Sequence, residues 1–261
     1  MRSSQVPLSC LGLAVALACC HHAVAQVPSG EGRVKSAAET PQFRTKTAAS
    51  VAAARLVPLD SLAPALKERV KKVITQPTLV AHAPPEEFTA SLKMYRWLLD
   101  HPDRGTFAWQ RLGVPCQPIA DRGNGRFSWS DDQGSEIVWF PLADGPNVRI
   151  WFAEGQVRPA ALLPTIPVKA VVVMLYECAD AEAPATKIRH EVDVFCHADS
   201  RAASLAYRMF GPSSDRIAEQ SAEQLLMFFG SLSQYLARHP QHSAQLLAPP
   251  APARAPATNL R

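Results

Sequence analysis

Apolar residues recur every three or four positions over residues 61–75, SLAPALKERVKKVIT, with Leu62, Leu66, Val70 and Val73/Ile74 on one side. That spacing predicts a helix, and Gln76-Pro77 ends it. Residues 78–83, TLVAHA, then read as a short strand held between Pro77 and Pro84-Pro85. A second helix is predicted over 89–99, where Leu92, Tyr95, Trp97, Leu98 and Leu99 supply bulk, and Asp100-His101-Pro102 breaks it. A shorter third helix over 104–112 carries Phe107 and Trp109 and stops at Gly113-Val114-Pro115.

In the middle of the chain the pattern turns to strands. Residues 126–131, 136–142, 147–154, 168–178 and 187–197 each hold β-branched or aromatic side chains between turn signals. The connectors at 132–134 and 144–146 are short enough for hairpins, so neighbouring strands are expected to be antiparallel. After Asp199 the helical period returns. Residues 200–210 read as helix, Gly211-Pro212 interrupts, and 213–238 form a long helix. Its stripe is Ile217, Ser221, Leu225, Phe228, Leu232 and Tyr235/Leu236, with Ser214 or Asp215 to cap the start and His239-Pro240 at the close. The fold class that follows is α+β, an antiparallel sheet burying one face against the C-terminal helix.

Pairing the last two strands across 179–186 sets Tyr176 opposite His190. One face then carries Ala170, Val172, Met174 and Tyr176 beside Cys196, Val194, Val192 and His190, and this is the natural partner of the helix. The other face, with charges at Arg189, Glu191 and Asp193, is expected to be solvated or shielded by a loop. The same alternation groups Phe127 and Trp129 with Ile137, Trp139 and Trp151, and places Arg149 two residues before Trp151. Three tryptophans beside one arginine suit the lining of a cavity with a single charged anchor. The plain alternative is that the rings fill the core while Arg149 reaches the rim.

The ends of the chain change the picture of compartment. MRSSQVPLSCLGLAVALACCHHAVAQ has Arg2, an apolar run from Leu8 to Cys20, and Ala23-Val24-Ala25 before Gln26. This is the layout of a secretory signal peptide over residues 1–25, and the run is shorter than the roughly 20 residues that a spanning helix needs. Leu17-Ala18-Cys19-Cys20 also loosely matches a lipoprotein signal, a weaker fit because cysteine precedes the position to be modified. The expected location is therefore exported, periplasmic or secreted. Residues 26–55 have few large apolar side chains and read as a disordered linker, and 240–261, ending LAPPAPARAPATNLR, as a disordered Pro/Ala-rich tail. One ordered domain over 56–239 remains.

Charge and cysteines mostly exclude. The net charge of +4 becomes +3 without Arg2, too mild to argue for nucleic acid. Of six cysteines, Cys10, Cys19 and Cys20 leave with the signal. Cys116, Cys178 and Cys196 then allow one disulfide and one free thiol at most, and no disulfide framework. No metal-ligand spacing is present, so no metal and no cofactor is expected. No serine has a GxSxG setting, and Cys196-His197 on a strand point to opposite faces. Glu191 and Asp193 share a face and could serve as acid and base, although like charges side by side are more often a solvated surface. Gly123-Asn124-Gly125 precedes a strand and reads as a tight turn, not a phosphate loop. Lys67, Arg69, Lys71 and Lys72 form a basic face that could make peripheral contact with anionic headgroups.

The order of elements resembles the helix-grip fold of the START-like (SRPBCC) superfamily. The likeness runs over 78–238 and rests on TLVAHA, TASLKMYRWLLD, RGTFAWQRLG, the five strand segments and SSDRIAEQSAEQLLMFFGSLSQYLAR. It implies a curved antiparallel sheet wrapped around the long C-terminal helix, with an apolar cavity between them. It also implies binding of a lipid or another hydrophobic small molecule, and in some branches cyclisation or hydrolysis. No universal catalytic motif exists to carry across. The expected function is an exported binding protein, with an enzyme on the same scaffold or an envelope interaction protein as alternatives. The expected ligand-binding residues are Phe127, Trp129, Trp139, Arg149, Trp151, Tyr176, His190, Val192, Leu225 and Phe228, and none is assigned a catalytic role.

Overall fold

The computed structural model describes residues 48–158, 164–198 and 214–249. The elements are α1 (Ala48–Arg55), a 3-10 turn (Leu59–Ser61), α2 (Pro64–Thr75), β1 (Leu79–Ala90), α3 (Leu92–Asp100) and α4 (Pro102–Arg111). There follow β2 (Ala120–Asp121), β3 (Phe127–Ser130), β4 (Glu136–Asp144), β5 (Val148–Val157), β6 (Ile166–Cys178) and β7 (Thr186–Ala198). The long helix α5 (Ser214–Arg238), a 3-10 turn (Pro240–His242) and α6 (Ser243–Leu247) complete the order. The seven strands form one antiparallel sheet in the order β1-β7-β6-β5-β4-β3-β2. This is the α+β arrangement expected from the sequence, a sheet against a long C-terminal helix.

Local chemistry explains where the elements start and stop. The Ser91 side chain accepts the Met94 N–H and caps α3. Pro102 opens α4, at a position that has no use for its missing N–H. Gly123, Asn124 and Gly125 all have positive φ (77°, 53° and 69°), so the turn before β3 needs these residue types. β1 is longer than TLVAHA: it continues through Pro84-Pro85 to Ala90, with a register shift between Ala83 and Glu86 against β7. β1 is an edge strand, and a bulge on an edge is where prolines can be accommodated in a sheet.

Both faces of the sheet are covered. The concave face packs Trp139, Trp151, Val172, Met174, Val192 and Val194 against Leu225, Phe229 and Leu232 of α5, with α3 and α4 closing one side. Tyr176 pairs with His190, and Phe127 with Trp139, in the register that alternation predicted. The convex face differs from expectation. It is packed by α1 and α2, with Ala53, Val70, Val73 and Ile74 meeting Ile150, Phe152, Val171, Val173 and Phe195. Apolar residues alternate on this face as well, so it too must be removed from water.

Two segments read as disordered contain structure. Within 26–55, residues Ala48–Arg55 form α1, whose Ser50 and Ala53 are buried. Its alanines are too small to suggest a core by themselves, but they let the helix lie close to the sheet. Beyond residue 240, α6 buries Leu246 and is held by the Arg111 guanidinium of α4, which donates to the carbonyls of Gln245, Leu246 and Ala248. The signal peptide at 1–25, the rest of the linker, the helix read at 200–210 and the tail from 250 lie outside the described residues.

Candidate ligand site on the concave face

Where α5 crosses the sheet beside the α3–α4 corner, Leu99, Pro102, Trp139, Trp151, Val172, Leu225 and Phe229 surround a void of about 10 Å³. That is room for about one water. Every lining side chain is apolar, and Trp151 lies parallel to Phe229 with ring centroids 6.5 Å apart. Of the ten expected binding residues, Trp139, Trp151 and Leu225 line this void. Phe127, Trp129 and Val192 are buried on the same face without reaching it. Phe228 turns toward α4, where its ring lies against Gly105 and its carbonyl accepts from Trp109 Nε1. Leu99, Pro102, Val172 and Phe229 complete the lining. Their part in it depends on how α3, α4 and α5 cross the sheet, which periodicity does not encode.

Arg149 is wholly buried, and two carboxylates hold its guanidinium: Asp100 at 2.7 Å and Asp144. Asp100 lies in the chain between two lining residues, Leu99 and Pro102, though neither it nor Arg149 lines the void itself. Burial pushes the Asp100 carboxyl up against the opposing pull of Arg149. Arg149, expected as the charged anchor, is ion-paired with both carboxylates, and its Nε is buried without a partner.

His190 is the second polar group on this face. Tyr176 is its cross-strand neighbour, but Nδ1 shares its hydrogen bond with the Tyr95 hydroxyl of α3, at 2.9 Å. The Tyr176 hydroxyl donates to the Gly145 carbonyl instead. Burial pushes His190 down to about 4, so the ring is neutral at pH 7, and burial also raises the Tyr95 phenol well above its ordinary value. Phe88 packs its edge against the imidazole at 4.8 Å, and Gly230 of α5 lies over it. A Cβ at Gly230 would stand 3.1 Å from His190 Cε1. Nε2 is buried without a partner. The sequence signal that could have led to Tyr95 was its place among the bulky residues of α3, but only the docking of that helix brings it to His190.

The carboxylates considered for acid–base chemistry are elsewhere. Asp193 is on the convex face, where it accepts from Ser50 Oγ at 2.6 Å and meets His82 Nδ1 at 3.2 Å. Ser, His and Asp thus come together, but the serine proton goes directly to the carboxylate and Ser50 is wholly buried beneath α1. A nucleophile must be reached by its substrate, and Ser50 is wholly buried, so this cluster is a structural clasp. Glu191 shares that face. Cys116, Cys178 and Cys196 are free thiols, and burial pushes Cys196 up to about 12, far from thiolate chemistry. His197 turns away to the Gln76 carbonyl. Two of the four basic residues on α2 are engaged, Lys67 with Asp60 and Arg69 with Glu154. Among the described residues, no group of three or more His, Cys, Asp or Glu side chains is placed to hold a metal ion.

No protein-family model matches the chain, and no curated protein is significantly similar to it. Among solved structures, a conserved protein from Geobacillus kaustophilus is similar at 11% identity and a TM-score of 0.39, over 60% of this chain and 97% of that one. Norcoclaurine synthase from Thalictrum flavum is similar at 11% identity and a TM-score of 0.31, over 60% and 94%. The di-domain ARO/CYC BexL of the BE-7585A biosynthetic pathway is similar at 15% identity and a TM-score of 0.32, over 71% and 56%. These are distant likenesses, and the fold described above stands on this chain's own strand pairing and packing.

Proposed function

We propose that the protein is an exported binder of a hydrophobic small molecule, a lipid among the candidates, taken between the concave face of the sheet and α5. The observation that carries the reading is the void lined by the apolar side chains of Trp139, Trp151, Phe229 and their neighbours at the meeting of sheet, α3–α4 corner and α5. Its present volume admits no such molecule, so binding requires lining side chains and α5 to give way. Apolar area removed from water then supplies the affinity, at about 25 cal/mol per Å². Membership of the START-like superfamily belongs to the same proposal, as does export with cleavage before Gln26.

The test is native mass spectrometry of the protein purified from its own cells, followed by a thermal-shift panel of lipids and neutral aromatic compounds. A bound small molecule, or a rise in Tm that grows with the concentration of one compound, is expected for a binder. No bound molecule and no shift across the panel would sink the reading. N-terminal sequencing of the envelope fraction checks export separately, and an intact Met1 there would remove that part.

A further inference from the structure

A buried polar atom without a partner costs free energy, so its presence needs a cause. Two such atoms flank one short stretch of α5. His190 Nε2 is one. Ser233 Oγ is the other, wholly buried and three residues after Gly230, hence on the same side of the helix. The tautomer of His190 follows from counting. If Tyr95 donates to Nδ1, a single Nε2–H is left over. If Nδ1–H donated to Tyr95, both the tyrosine proton and the Nε2 lone pair would be left over. The first arrangement leaves fewer groups unsatisfied, so Nε2 carries the proton and is a donor.

Sheet register connects this donor to the void. Along the concave face of β6 come Val172, Met174 and Tyr176 in turn. Val172 lines the void, Met174 pairs with Val192, and Tyr176 pairs with His190. On α3, Leu99 lines the void and Tyr95, one turn earlier, holds His190. On α5, Phe229 lines the void and Gly230 covers His190. Met174 therefore stands between the two, fully buried, and methionine is an unbranched side chain that can swing aside.

We infer that the ligand of the concave site is a neutral molecule with a hydrogen-bond acceptor, a ketone, ester or amide oxygen on an apolar body. Its body replaces the Met174 side chain beside the void, and its oxygen accepts from His190 Nε2–H. An acid gains nothing over a neutral acceptor at Nε2, since the imidazole is uncharged at pH 7, and benzoate tests the competing donor, the buried Arg149 Nε. This inference rests on the binding function proposed above.

The test uses three probes of matched shape on the full mature chain, acetophenone, ethylbenzene and benzoate, followed by NMR titration of the concave-face signals. The wild-type protein is expected to bind acetophenone about tenfold more tightly than ethylbenzene, the worth of one hydrogen bond, with benzoate the weakest. In the double substitution Tyr95→Phe/His190→Leu the ratio is expected to fall to about one. Removing both partners of the bond avoids leaving a new orphan, and the wild-type ratio stands as a test even if that variant does not fold. Equal binding of acetophenone and ethylbenzene would overturn the inference and leave the binding function intact. Tightest binding by benzoate would overturn it in favour of Arg149. Collapse of the ratio in Trp129→Phe, and not in the double variant, would move the donor to Trp129 Nε1. If no probe shifts any concave-face signal, the inference is overturned, while the mass-spectrometric and thermal-shift panel above decides the binding function separately.

Discussion

β7 buries one ionisable side chain on each face of the sheet, Asp193 on the convex side and His190 on the concave side, three residues apart. Asp193 has two partners, Ser50 and His82 from different elements, and it ties α1 and β1 to β7. His190 has one partner, Tyr95, and its second nitrogen has none. A satisfied buried group holds structure together, whereas a half-satisfied one sacrifices stability and keeps the capacity to bind something else. The convex face is built like the first and the concave face, with its void, like the second.

The sharpest way to break this contrast is Asp193→Ala. It strips the acceptor from the buried Ser50 hydroxyl and from His82, and should destabilise the fold by about 4 kcal/mol, within the range seen when one partner of a buried polar pair is lost. Urea unfolding measures this, and hydrogen exchange should show α1 losing protection ahead of the sheet. A loss under 1 kcal/mol would mean the clasp is not what holds α1.

The second test concerns acid. The unfolded chain protonates His190 near 6.5 and the folded protein near 4. His190 therefore contributes no penalty above pH 6.5, and stability falls as pH drops from 6.5 to 4, by roughly 3 kcal/mol, because protons favour the unfolded chain. Subtracting the same curve for Tyr95→Phe/His190→Leu isolates this limb from the carboxylates. A difference curve that is flat over that window would show that His190 is not buried neutral.

The smallest effect should come from the rim of the convex face. Arg69 binds both oxygens of Glu154 and lies over the Phe152 ring at 5.5 Å, but both charged side chains are well exposed. Glu154→Gln should change stability by about 0.5 kcal/mol, less at high salt. A loss several times larger would place part of the convex clasp at α2.

Much of the fold was legible because strands and helices have different periods. The Tyr176–His190 register, the shared face of Phe127, Trp129, Trp139 and Trp151, and the apolar stripe of α5 all follow from counting residues along the chain. The misreadings share one physical cause. α1 is alanine-rich and has no bulky stripe, and β1 passes through two prolines, so in both cases local propensity argues against an element that tertiary contact stabilises. The alternation of Arg189, Glu191 and Asp193 predicts a convex face that is solvated or shielded by a loop. Asp193 is nevertheless buried by Ser50, some 140 residues distant in the chain.

What the sequence by itself determined is which residues share a face, because the twofold alternation of a strand and the 3.6-residue turn of a helix are local properties of the backbone. What only the tertiary structure decided is what those faces meet. That Asp100 reaches Arg149, that Tyr95 and not Tyr176 bonds His190, and that Trp139 and Trp151 meet Phe229 around a void of about 10 Å³ all depend on helices docking across the sheet. Those contacts join residues far apart in the chain, where side-chain volume and partner geometry decide and periodicity has no say.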